Sequence, residues 1–438
     1  MGGLKYIKIS QKNFVKYKSD YDLDKEAIRI LRSNEWGGYT LPTQKLYPYQ
    51  WNWDSMFIAL GLAQFDLNRA WVEIENLFNS QWQNGMAAHI IFRNKASTYF
   101  PGPEVWDTKQ NPPTSGYSQP PIAASIVLKI YNMNKDIGAN FIKNLFPKLF
   151  NWHKWFHTMR VISGGHAIAV THPWESGRDN SPDWDEAINN INSNAELSFN
   201  RLDLNLIDKS MRPSDSEYQK YIYLLEYGRK TGWDHAQITR DGPFAVADPG
   251  INFILLRANK DLLKISEILN ENKHKAEIEK WLSYSEKAAN YLWSDSLKAY
   301  VARNIRNDVY TSGISNVSFL SYYAGISDSI NVDRHYSTLI KFIRNTKYCI
   351  PSFDSEHHKF NPIKYWRGPV WLIINYMIAE GLKNYGLNEI SNRIRNDVRM
   401  LIKRNGFFEY YNPLNGSGLG GKNFSWTAAI WLAWASDS

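Results

Sequence analysis

"YWRGPVWLIINY", residues 365–376, decides how the rest of the chain is read. Its first half sets a Tyr, a Trp and an Arg beside Gly and Pro. Its second half is apolar, and Val370, Ile374, Met377 and Ile378 recur with the period of one helix face. The same spacing returns at Tyr336, Leu339, Ile340 and Ile343, and at Leu255, Ala258, Leu262 and Ile265. Further helices are predicted near 54–65, 68–82, 120–133, 138–159, 183–210, 216–231, 275–293, 315–325, 387–404 and 424–435. Alternating strand patterns are confined to short runs around 166–171 and 298–303. No Gly/Ser-rich linker divides the chain, so residues 1–438 read as a single all-α domain of about a dozen helices. Paired helices of this kind stack as an open solenoid or close into a toroid, and the lack of a repeated sequence motif weighs against the solenoid.

Composition narrows the function. A chain of 438 residues that is 43% hydrophobic has enough apolar surface for a large core. The 18 Trp and 26 Tyr exceed what packing demands, and rings beside polar groups are how proteins grip flat amphipathic ligands such as sugars. The single Cys349 excludes an internal disulfide, and the start MGGLKYIKISQKNF lacks the apolar run of a signal peptide, so a cytoplasmic location is expected. No stretch approaches the roughly 20 apolar residues of a membrane span, so no membrane partner is expected. The net charge of +8 is dispersed along the chain and accompanies no nucleic-acid motif; it reads as a solvated basic surface. A homo-oligomer stays open.

Between the helices lie polar, aromatic loops at 34–53, 83–119, 172–182, 349–369 and 405–423, of which 83–119 and 349–369 are expected near the opening of a site. "HPWESGRDNSPDWDE", residues 172–186, sets two Trp among acidic side chains. Ser181 and Pro182 read as the cap and first residue of a helix, which leaves Glu175 and Asp179 in the approach loop, where their side chains are expected to project into a cavity. A calcium loop is excluded by the acidic spacing. "NGFFEYYNPLNGSGLGGKNFSW", residues 405–426, places Glu409 amid four rings ahead of Gly416, Gly418 and Gly421. Those glycines match a nucleotide fingerprint in spacing but not in context, and are read as a tight turn that brings backbone close to a ligand. "YPYQWNWDSMF" at 47–57 and "PPTSGYSQPP" at 112–121 have the same texture. Serine-hydrolase, zinc and P-loop motifs are missing, and His89, His357 and His358 lack ligand spacing, so neither metal nor cofactor is expected. Two isolated carboxylates in aromatic loops suit glycoside hydrolysis.

In "WNWDSMFIALGL", "ESGRDNSPDWD", "YWRGPVWLIINY" and "FFEYYNPLNGSGLGGKNFSW", spread over residues 47–426, the chain resembles glycoside hydrolase family 63, in particular its short prokaryotic members, the glucosylglycerate and mannosylglycerate hydrolases. Trehalases of a related family share similar patterns. The resemblance implies an (α/α)6 barrel and an inverting mechanism, with Asp179 as general acid and Glu409 as the base that activates water. It also implies a sugar pocket of Tyr47, Trp51, Asp54, Gln119, Trp174, Trp366 and Trp371, rimmed by His89 and Tyr99 and shaped by Gly177. Arg212 and Tyr218, in "RPSDSEYQKY", would engage the acid of a glycerate; the competing reading is a surface pair of Arg212 with Asp215. The function expected is hydrolysis of a small α-glycoside. The alternatives are an α-glucosidase or trehalase-like enzyme on neutral oligosaccharides and, remotely, a non-catalytic sugar-binding scaffold.

Overall fold

In the computed structural model, which describes residues 18–162, 164, 167–192, 198–326 and 329–437, the apolar periods become two concentric rings of helices. Six inner helices, Asn52–Leu62, Ala123–Met133, Pro249–Ile268, Leu320–Ala324, Leu372–Asn384 and Ser425–Ile430, each pack on the next, and the last packs on the first. The ring is closed. This is the (α/α)6 barrel expected from the sequence.

Each inner helix is backed by an outer one. Leu67–Phe78, Lys135–Met159, Asn272–Leu292 and Asn388–Asn405 follow their inner partners in sequence and pack on them. Ser329–Arg344 does so through His335, whose ring stacks on Tyr322 at 5.5 Å. The sixth outer helix, Asp20–Ser33, comes from the opposite end of the sequence and packs on Ser425–Ile430. Sequence reading misses it, although Leu23, Ala27, Ile30 and Leu31 form a buried face behind a Ser19 cap.

Closure depends on a close approach. A Cβ on Gly61 would sit 2.4 Å from the Cα of Ala429, so only glycine lets the first and last inner helices meet there. All eleven residues of Asn52–Leu62 are buried, as expected of a helix with neighbours on every side.

The predicted helix at 183–210 does not form. Among its described residues, Pro182–Trp184 is a 3-10 turn, Asp185–Asn189 a short α-helix, and Leu202–Asn205 a further 3-10 turn, while 193–197 lie outside the described residues. The segment holds Asn189, Asn190, Asn192, Asn194, Asn200 and Asn205, and Asn side chains compete for the backbone bonds a helix needs. The expected strands appear as Ala169–Val170, Ala299–Tyr300 and Arg303–Asn304, all short. None of the described helices is long and apolar enough to cross a membrane.

Candidate active site

Site-forming residues sit where the chain enters the inner helices. Trp51, Trp53 and Asp54 lie at the start of Asn52–Leu62, Gln119 just before Ala123–Met133, Tyr365 and Trp366 before Leu372–Asn384, and Phe424 and Trp426 around the start of Ser425–Ile430. With Asp179, Glu409 and Arg212 they line one cavity of about 870 Å³ including its mouth.

Glu409 stands on the strand Phe408–Tyr411, paired with Gly418–Lys422 in a hairpin. Its side chain is 1% exposed. Oε1 accepts from the Tyr47 hydroxyl at 3.0 Å and the Tyr365 hydroxyl at 3.3 Å, and Oε2 from the Gly421 N–H at 3.0 Å. Burial raises its pKa, while Arg212 and these three donors favour the carboxylate and pull it back. The glycine-rich turn therefore approaches the carboxylate itself. Gly420, at φ +70°, would carry a Cβ 2.4 Å from Oε2.

Asp179 lies in the loop ahead of the Ser181 cap and Pro182, which occupy the positions read from sequence. Tyr221 donates to its backbone oxygen at 2.7 Å. The next residue ties this loop to the one at 365–367: Asn180 Oδ1 accepts from the Trp366 N–H at 3.0 Å, and Asn180 O from Arg367 at 3.2 Å. Burial pushes the Asp179 carboxyl up to about 7; Arg212 opposes this and the charge of Glu409 adds to it. Arg178, next in sequence, points elsewhere, into an ion pair with Asp183 at 2.8 Å and Asp248 at 2.7 Å. Asp54 is a third acid in the cavity, its pKa raised well above the ordinary value by burial and then by Glu409.

Of the remaining predicted residues, Tyr47, Trp51, Tyr99, Trp174, Gly177 and Tyr218 line the cavity. His89 does too, but at 3% exposure it belongs to the wall rather than the rim, with Nδ1 bonded to the Ser115 hydroxyl at 2.7 Å. Gln119 turns its Oε1 to the Trp53 N–H at 3.2 Å. Gly177 adopts φ +69° against the Trp53 ring, where a Cβ would stand 2.6 Å away. Tyr218 spends its hydroxyl on the Phe100 carbonyl at 3.0 Å, so it reaches the cavity through its ring.

Two further expectations need correction. Trp371 does not reach the cavity: it is fully buried behind Trp366, stacked on it at 3.7 Å with its N–H donated to the Tyr365 carbonyl. Glu175 does not project into the cavity either, being held in a buried ion pair with Arg160. Nor is Arg212 paired with Asp215. Its Nε bonds Asp203 at 3.0 Å and its Nη1 the Tyr47 hydroxyl at 2.9 Å, while Arg201 takes Asp215. Arg201 also grips Asp203 with two bonds, at 2.9 and 2.8 Å, and both line the cavity. Sequence reading missed this Arg201–Asp203–Arg212 cluster because it lies in an irregular segment with no period to mark which side chains turn inward. Among the described residues, no group of three or more His, Cys, Asp or Glu is placed to hold a metal ion.

A barrel of this kind, with the carboxylates of Asp179 and Glu409 lining one aromatic-walled cavity, fits a glycoside hydrolase. The chain belongs to the family described as the mannosylglycerate hydrolase MGH1-like glycoside hydrolase domain, which matches residues 47–427. It is 41% identical over 413 residues to mannosylglycerate hydrolase MGH1 of Selaginella moellendorffii, covering 93% of this chain and 85% of that one. It is 31% identical to the glucosylglycerate hydrolase of Mycolicibacterium hassiacum, covering 93% and 96%. The crystal structure of the family 63 mannosylglycerate hydrolase from Thermus thermophilus in complex with Tris and D-glycerate superposes with a TM-score of 0.91 at 37% identity, covering 94% of this chain and 99% of that one.

Proposed function

We propose that the protein hydrolyses an α-glycoside of glycerate, mannosylglycerate or glucosylglycerate, to hexose and glycerate with inversion at the anomeric carbon. The observation that carries this reading is the placement of Asp179, Glu409 and Arg212 around one aromatic-walled cavity. The names of the relatives supply the substrate class.

The chemistry follows from the environments of the two acids. Asp179, held up to about 7, keeps its proton near neutral pH and passes it to the glycosidic oxygen as the bond to the anomeric carbon breaks. Glu409, fixed as a carboxylate by Tyr47, Tyr365 and the Gly421 N–H, takes a proton from a water that attacks the opposite face. Such a pair works across a gap of roughly 6.5–9.5 Å. Indoles of Trp51, Trp174 and Trp366 offer faces for the sugar C–H groups, and Asp54 an acceptor for its hydroxyls. The Arg212 guanidinium is suited to the glycerate carboxylate.

The test is a panel of α-mannosides and α-glucosides, each on glycerate and on neutral aglycones, followed by NMR. Release of the β-hexose first, with preference for the glycerate conjugates, is expected. Release of the α-anomer, or no glycerate conjugate hydrolysed, would overturn the proposal.

A further inference from the structure

One phenol touches both halves of the proposed reaction. The Tyr47 hydroxyl accepts from Arg212 Nη1 at 2.9 Å and donates to Glu409 Oε1 at 3.0 Å. A hydroxyl has one proton, and a guanidinium only donates, so accepting from Arg212 leaves Tyr47 with its own proton to give. The Tyr365 hydroxyl, 3.0 Å from Tyr47 and 3.3 Å from Glu409, completes a triangle over the same carboxylate oxygen, and the Arg212 guanidinium lies 4.4 Å over the Tyr365 ring.

We propose that Tyr47 is a positioning residue that couples recognition of the leaving group to the catalytic base, so that an anionic aglycone on Arg212 raises turnover as well as affinity. This rests on the proposed function and deepens it. With a neutral aglycone, Arg212 polarises the Tyr47 hydroxyl, which then donates strongly to Glu409 and blunts it as a base. A carboxylate on Arg212 draws off that polarisation, the Tyr47 bond to Glu409 slackens, and Glu409 removes a proton from water more readily. The other groups that face or field Glu409 keep their places: Tyr365, the Gly421 N–H, Tyr410 beside it, and the acids Asp54 and Asp179. Asp203, bonded to Arg201 and Arg212, holds the guanidinium from its other edge.

The experiment compares kcat against pH for one hexose carried on glycerate and on glycerol, in the wild type and in Tyr47→Phe. In the wild type the acid limb for the glycerate conjugate is expected about half a pH unit or more above that for the glycerol conjugate, because the base is stronger. In Tyr47→Phe the separation of the two limbs is expected to shrink to what the direct field of Arg212 on Glu409 leaves, and the kcat advantage of the glycerate conjugate to shrink with it while its KM advantage survives. Coincident limbs in the wild type overturn the coupling without any variant. A displacement of undiminished size in Tyr47→Phe overturns it too, since the carboxylate would then act wholly through space. A folded Tyr47→Phe protein inactive on both conjugates overturns it by making Tyr47 necessary whatever the aglycone. No hydrolysis of the glycerate conjugate by the wild type is a separate failure, that of the substrate assignment.

Discussion

Glu175 and Arg160 meet away from all water, each side chain 0% exposed, with Arg160 Nε 2.9 and 3.0 Å from the two carboxylate oxygens. Oε2 also accepts from the Thr171 N–H at 2.9 Å and the Thr171 hydroxyl at 3.1 Å. The pair anchors the loop four residues ahead of Asp179. Removing one partner strands the other charge in the interior, which costs far more than the net worth of the intact pair. Glu175→Ala is therefore expected to lose about 3–5 kcal/mol of stability. Denaturant unfolding checks this, and a neutral result would remove the ion pair as the loop's anchor.

Asp179 sets the alkaline side of the pH profile. Turnover is expected to fall as pH rises through about 7, where the acid gives up its proton. Asp179→Asn and Glu409→Gln are each expected to lower kcat by about 10²–10⁴-fold or more with the helical circular dichroism intact.

Stability carries the same signature with a definite sign. Below 3.8, the ordinary value, Asp179 is protonated folded or unfolded. Between there and about 7 the folded chain binds a proton that the unfolded chain does not, so the stability this proton brings declines as pH rises and is gone above about 7. Asn cannot titrate. Asp179→Asn is thus expected to raise the melting temperature relative to wild type more at pH 8 than at pH 4; an equal difference at both would place Asp179 in an unperturbed environment.

Gly420→Ala tests whether the turn positions the base. The new methyl would compete with Glu409 Oε2 and strain the φ of +70°. A displacement of the order of 1 Å at a catalytic group lowers kcat by about 10²-fold, and that loss is expected here with KM little changed. Steady-state kinetics decides, with KM rising in place of the kcat loss as the contrary result.

Arg212→Ala is expected to lower kcat/KM on glycerate conjugates about 10–100-fold more than on neutral ones sharing the same hexose, the worth of a charge-assisted hydrogen bond. Equal losses on both would favour a neutral oligosaccharide as substrate.

The barrel was legible because outer helices such as Ser329–Arg344 bury one stripe, here Leu339 and Ile343, while inner ones such as Leu372–Asn384 are apolar nearly all round; Val370 falls just ahead of that inner helix, bridged to Tyr411. Asp179 and Glu409 stood out as carboxylates set among rings in loops ahead of helices. What escaped was direction. Trp366 and Trp371 lie five residues apart in one motif, and only the backbone turn between them puts one ring in the cavity and the other behind it. Arg160 as the partner of Glu175, and Arg201 and Asp203 as neighbours of Arg212, depend on contacts that cross irregular chain, where no periodicity reports orientation.

The seam between Gly61 and Ala429 makes assembly all-or-nothing. A nascent chain that has emerged only as far as residue 400 has five staves of the barrel and no sixth, so the side of Asn52–Leu62 that meets Ser425–Ile430 stays uncovered and Glu409 has not yet arrived. During synthesis this early segment waits for its late mate, so the ring cannot close until almost the whole chain has been made.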